Sequence, residues 1–215
     1  MRVENFTPLQ PDFQGWNGNS PVYYELVAET HPTTILEIGS WKGQSTNSLA
    51  KACIKKGLTT KIYCIDTWLG ALEFIENERL YGSQWDRMLI HGYPSVYYQF
   101  LSNMIHNDIL EMIEPIPSTS ENAVPYVPNA ELIYIDGQHT YKGVKEDLNN
   151  YWPKLKKGGI MFGDDYYLMT ADVREVDGYR PEVKRAVDEF VEERRLTLEV
   201  LYNNFWVIRN GQKQL

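Results

Sequence analysis

Short apolar runs and amphipathic stretches alternate along most of this chain. Thr33 to Ile38, Lys61 to Asp66, Met112 to Ile116, Glu131 to Asp136 and Gly159 to Gly163 are compact runs flanked by Gly, Pro, Asn or Asp, and each predicts a strand. Pro21 to Thr30, Gln44 to Lys56, roughly Pro94 to Asn107, Ser120 to Val127, Tyr141 to Leu155 and Pro181 to Arg195 read as helices. Gly57 stops the second of these, and Pro181 stands in the first turn of the last, where its missing N–H costs nothing. Thr197 to Tyr202 and Phe205 to Arg209 form a hairpin pattern across Asn203-Asn204, a pair tolerant of positive φ. Alternating strands and helices closed by a hairpin predict an α/β fold. The expected architecture is a doubly wound sandwich on a mostly parallel seven-stranded sheet, with an antiparallel pair at the C-terminal end. Ligands in such sheets sit at the carboxyl ends of the strands, where strand order reverses.

The pattern weakens in two places. The first twenty residues, rich in Gly, Pro, Asn and Phe, read as an irregular N-terminal arm or lid. Residues 67 to 110 are the least regular part, with one or two helices. No repeat, low-complexity stretch or linker divides the 215 residues, so a single domain over 1–215 is expected.

Composition narrows the function classes. With 21 Lys+Arg against 29 Asp+Glu the net charge is −8, which argues against a nucleic-acid partner. No run approaches the ~18 apolar residues of a membrane span, and MRVENFTPLQ lacks the regions of a signal peptide, so no membrane partner and a cytoplasmic location are expected. The two cysteines, Cys53 and Cys64, fall in a helix and a strand pattern and read as buried small hydrophobes. The oligomeric state stays open, a homo-oligomer included, since the N-terminal arm could reach a neighbouring subunit.

Candidate chemistry gathers at two strand ends. LIYIDGQHTY, Leu132 to Tyr141, runs from an apolar strand into Asp136 and then His139; the next apolar run ends in Asp164-Asp165, 28 positions after Asp136. If the two runs are neighbouring parallel strands, three carboxylates meet at one sheet edge beside a titratable base, a setting for a hard cation. Lys142 and Lys145 offer the competing explanation of plain salt bridges. Earlier, ILEIGSWKGQS, Ile35 to Ser45, places Glu37, Gly39 and Gly43 around a strand-to-helix turn. One glycine in the first turn, with an acid in the strand end, departs from the dinucleotide fingerprint. Asp66 closes the second strand where an acid can hold ribose hydroxyls. Trp41 and Trp68 follow motif strands and either wall a pocket or pack in the core; His31, His91 and His106 read as structural or surface residues.

Glu37, Gly39, Gly43 and Asp66 together resemble the S-adenosylmethionine site of class I methyltransferases, on a Rossmann-like sheet. The stretches ILEIGSWKGQS, IDTWLG, IDGQHTY and GDDY are similar to the methyltransferase-24 branch, the metal-dependent O-methyltransferases of the macrocin and rhamnosyl type. The similarity covers most of residues 33 to 167; it fades in the C-terminal third and in 70 to 110, a variable insertion that the resemblance implies shapes the acceptor pocket. It implies a cofactor site of Glu37, Gly39, Gly43, Ser45, Asp66 and Ser120, the last near the adenine. It implies that Asp136, Asp164 and Asp165 ligate Mg²⁺ or another divalent cation. His139 would be the general base, acting with Asp136, where catechol-type relatives use a Lys. The expected function is metal-assisted methylation of a hydroxyl on a small polar acceptor such as a sugar or glycoside. Two rivals stand beside it: an NAD(P)-dependent oxidoreductase, and a non-catalytic nucleotide-binding module on the same sheet.

Overall fold

The computed structural model describes residues 6–15, 17–70, 88–167 and 182–211. Residues 71–87 of the variable segment, with any helix expected there, lie outside the described residues, as does Pro181. The elements are α1 Pro21–Thr30, β1 Thr34–Ile38, α2 Gln44–Lys55, β2 Lys61–Asp66, β3 Leu89–Ile90, β4 Tyr93–Pro94, α3 Val96–His106, β5 Ile113–Pro117 and α4 Ser120–Ala123. They continue with β6 Ala130–Ile135, α5 Tyr141–Tyr151, β7 Leu155–Gly163, α6 Glu182–Arg194, β8 Leu198–Leu201 and β9 Phe205–Arg209. Seven strands form one sheet in the order β5-β2-β1-β6-β7-β9-β8, while β3 and β4 pair separately. The first five of that order run parallel; β9 is antiparallel to both β7 and β8. This is the expected doubly wound α/β sheet with its antiparallel terminal pair.

The near-continuous apolar character of the central strands follows from burial on both faces. Successive residues alternate between two cores. Ile35, Leu132, Tyr134, Ile160 and Phe162 face a core closed by α1, α2 and α3. Leu36, Ile133, Ile135, Met161 and Trp206 face a second, closed by α4, α5 and α6. Both free cysteines are buried, as the pattern of small hydrophobes implied. No described helix is long and apolar enough to cross a membrane.

Two differences from the sequence pattern have local causes. β7 begins at Leu155 rather than Gly159, because the strand runs through Lys156-Lys157-Gly158 by shifting register between Ala130 and Leu132. Gly158 adopts φ +81° there, a conformation that resembles a turn when read from sequence alone. The β3–β4 pair has two residues per strand, too few for alternation to register.

The described part of the N-terminal arm forms no regular element before α1, yet it is anchored. Lys42 Nζ, in the loop before α2, meets Asp12 Oδ2 at 2.6 Å and Gln14 Oε1 at 2.9 Å. Asn103, fully buried on α3, donates to the carbonyls of Asp12 and Lys42, each at 2.7 Å, and accepts from the Asp12 N–H at 3.0 Å. One amide thus holds arm and loop together. Asn103→Ala strands these backbone groups, so a loss of about 2–4 kcal/mol is expected; urea unfolding of the variant against wild type measures it.

Candidate active site

Strand order reverses between β1 and β6, and the candidate residues gather at the carboxyl ends beside that point. Gly39 leaves β1 with φ +85°, and a Cβ there would lie 2.0 Å from the Asp136 carbonyl oxygen. The Gly39 N–H donates to Ile65 O and the Asp136 N–H to Ile38 O, at 2.9 and 2.8 Å. The turn after β1 therefore presses directly on the loop after β6. Gly43, φ +84°, opens α2 where a Cβ would strike Met104 and Phe100.

Glu37 works from inside this turn. Its carboxylate is 0% exposed. It accepts from Ser40 Oγ at 3.0 Å, from Ser45 Oγ at 2.6 Å, and from the Thr46 hydroxyl. Burial pushes its pKa up, against these hydroxyls, which lower it. Glu37 and Ser45 thus satisfy each other and hold the loop, instead of reaching the space above it. Asp66 behaves similarly but stays partly exposed. Oδ2 accepts from the Trp41 N–H at 2.8 Å and Oδ1 from the Trp68 N–H at 2.7 Å. The Ser40 and Thr67 N–H groups also bond this carboxylate. Trp68 is 2% exposed and packs on Tyr97 and Phe100, which makes it core.

Ser120 opens α4, at the position expected near an adenine. Its side chain bonds Asp147 and its carbonyl accepts from Tyr151 Oη at 2.7 Å. Asp147 is buried on α5, and burial pushes its pKa up to about 6. A carboxyl raised in the folded state favours folding while protonated and loses that advantage as pH rises through the folded pKa. Wild type should therefore lose about 2 kcal/mol relative to Asp147→Asn between pH 4 and pH 7. Unfolding curves of both proteins across that range test this, and parallel curves refute it.

At the other half, Asp136, His139 and Asp165 bring one ligating atom each within 4.8 Å of one another. His139 Nε2 lies 3.4 Å from Asp136 Oδ1 and 3.3 Å from Asp165 Oδ2. Asp164 sits deeper, 4% exposed; its Oδ1 accepts from the Asn204 side chain and from the Asp165 N–H. Burial, then the charges of Asp136 and Asp165, push the Asp164 pKa up to about 8. The compact donor trio among the described residues is thus Asp136, His139 and Asp165, with Asp164 behind it. Asp164, expected as the third ligand, stands close enough to Asp136 and Asp165 for their charges to raise its pKa, and its Oδ1 also accepts from Asn204. The lysines do not account for the cluster: Lys142 pairs with Glu146 at 3.7 Å, and Lys145 with Glu189 and Glu193 at 3.0 and 2.7 Å.

Sequence reasoning missed Tyr134, which donates to Asp136 Oδ2 at 2.9 Å, and Asn17, whose side chain bonds Asp164. Strand alternation carried a signal for Tyr134, two residues before Asp136 on the same face. Nothing local marked Asn204 or Asn17, which arrive from distant segments.

A family model described as "Methyltransferase domain" matches residues 36–166, a span holding both halves of the site. The chain is 26% identical over 170 residues to the uncharacterized protein y4gI of Sinorhizobium fredii (strain NBRC 101917 / NGR234), which covers 77% of this chain and 17% of that protein. It thus spans about a sixth of that relative's length. Among solved structures, the O-methyltransferase TomG from Streptomyces achromogenes, in complex with SAM, has a TM-score of 0.61 at 15% identity, covering 94% of this chain and 83% of TomG. The O-methyltransferase from Bacillus cereus, in complex with SAH, has a TM-score of 0.61 at 13% identity, covering 95% and 84%.

Proposed function

The chain belongs to this methyltransferase domain family, and from that premise we propose that it is an S-adenosylmethionine-dependent O-methyltransferase. It acts, with a divalent cation, on a hydroxyl of a small polar acceptor such as a sugar or glycoside. The observation that carries this reading is the contact of Gly39 with Asp136, which makes the β1 turn and the acidic cluster two walls of one site.

The residues present fit both groups. Asp66, partly exposed at the end of β2, stands where a ribose diol would meet it, and Gly39 and Gly43 keep the turn free of side chains. The carboxylates of Asp136 and Asp165, backed by Asp164, are of the oxygen-rich kind that hard cations favour, with His139 beside them. S-adenosylmethionine would supply a methyl group on a sulfonium, and a divalent cation would lower the pKa of an acceptor hydroxyl. Glu37 holds the turn from within. Asp136 and Asp165 orient the acceptor side, and His139 takes the proton of the acceptor hydroxyl. The arm around Asp12, anchored through Asn103, serves as a lid that limits water.

Methyl transfer from isotope-labelled S-adenosylmethionine to a panel of glycosides, with and without chelator, tests the reading. Transfer that chelator abolishes supports it; full transfer in chelator removes the cation from it. Thermal shifts separate the rival: stabilisation by a nicotinamide cofactor and none by S-adenosylhomocysteine would replace the proposal with an oxidoreductase.

A further inference from the structure

Asp136 is held from beneath by a chain of two phenols. Tyr134 lies two residues earlier at the end of β6, so both side chains fall on the α1 side of the sheet. Tyr134 Oη donates to Asp136 Oδ2 at 2.9 Å, and Tyr23 Oη, from α1, donates to Tyr134 Oη at 3.0 Å. The direction follows from the proton count. An ionised carboxylate only accepts, and each phenol carries one proton. Tyr134 commits its proton to Asp136 and must therefore receive the one from Tyr23.

Both rings are sealed in, Tyr134 at 0% and Tyr23 at 1% exposure. Tyr23 meets Tyr134 edge-on at 5.4 Å between centroids and also contacts Phe162 and Phe205; Tyr134 and Phe162 lie 4.7 Å apart. Packing thus fixes where the Tyr134 hydroxyl points. Two phenylalanines would fill nearly the same volume without burying two hydroxyls, a burial that costs free energy unless hydrogen bonds offset it. The chain ends on the oxygen of Asp136 turned away from His139, which leaves Oδ1 toward the cluster at 3.4 Å from Nε2.

We propose that Tyr134, backed by Tyr23, is a positioning residue that fixes the carboxylate plane of Asp136 so that Oδ1 is presented to a divalent cation; this rests on reading Asp136 and Asp165 as a cation site beside His139. Partners standing behind a metal ligand in this way typically change metal affinity about 10–100-fold when removed.

Calorimetric titration of Mn²⁺ into the protein saturated with S-adenosylhomocysteine, well below the unfolding transition, tests it. Tyr134→Phe is expected to weaken binding about 10–100-fold, and Tyr23→Phe by less than about tenfold, because Tyr134 still donates to Asp136 in that variant. Wild-type affinity in Tyr134→Phe overturns the positioning role while the cation site stands. Absence of saturable Mn²⁺ binding to wild type overturns the cation site and the positioning role with it. Should Tyr134→Phe fail to fold, Tyr23→Phe decides: weaker binding supports the chain of phenols, and unchanged binding overturns it.

Discussion

Gly39→Ala is expected to disable both halves of the site in one step. The new Cβ would sit 2.0 Å from the Asp136 carbonyl oxygen and 2.5 Å from its carbonyl carbon. Neither is the movable end of a side chain, so the backbone of β1 or β6 must shift. The φ of +85° adds its own penalty for any residue with a Cβ. Together these effects should cost about 2–5 kcal/mol of stability and displace Asp136 from its partners. Denaturant unfolding measures the first, and Mn²⁺ titration in the presence of S-adenosylhomocysteine the second. Gly57→Ala is the control: its φ is +67° but a Cβ there meets nothing within 4 Å, so only about 1–2 kcal/mol should be lost. Equal losses at the two positions would show that the approach of Gly39 to Asp136 carries no weight.

His139→Ala is expected to lower methyl transfer about 10²–10⁴-fold, the usual range for losing a general base. Cofactor affinity should stay close to wild type. The turn after β1 is held by Glu37, Ser45 and Asp66 through hydroxyls and backbone N–H groups of that turn and of the segment after β2. A fall in kcat without a fall in S-adenosylhomocysteine binding separates a proton-transfer role from a structural one. An unchanged rate would leave His139 as a ligand or a bystander.

Most of the sheet was legible from periodicity because burial on both faces leaves an unbroken apolar run in each central strand. β2 matches its predicted span, Lys61 to Asp66, and the terminal hairpin turns at the expected asparagines. What escaped was local irregularity: the register shift that lengthens β7 across Gly158, and the short β3–β4 pair. The acids of the site were legible as types and places, but not in their partnerships. Glu37 faces inward to three hydroxyls, and Asp164 accepts from Asn204 in the turn before β9. Both outcomes depend on long-range or rotameric choices that spacing does not encode. The pressing of Gly39 on Asp136 belongs to the same class, since a glycine in a turn announces its φ and not its neighbour.

The central claim is that Asp136 and Asp165, backed by Asp164, hold a cation beside the base His139 in a methyltransferase. Electron paramagnetic resonance of Mn²⁺ titrated into the protein with S-adenosylhomocysteine present tests it most directly. Wild type should sequester one ion per chain and Asp136→Asn should lose that binding. Free Mn²⁺ signal throughout the wild-type titration, or equal sequestration by the variant, would contradict it.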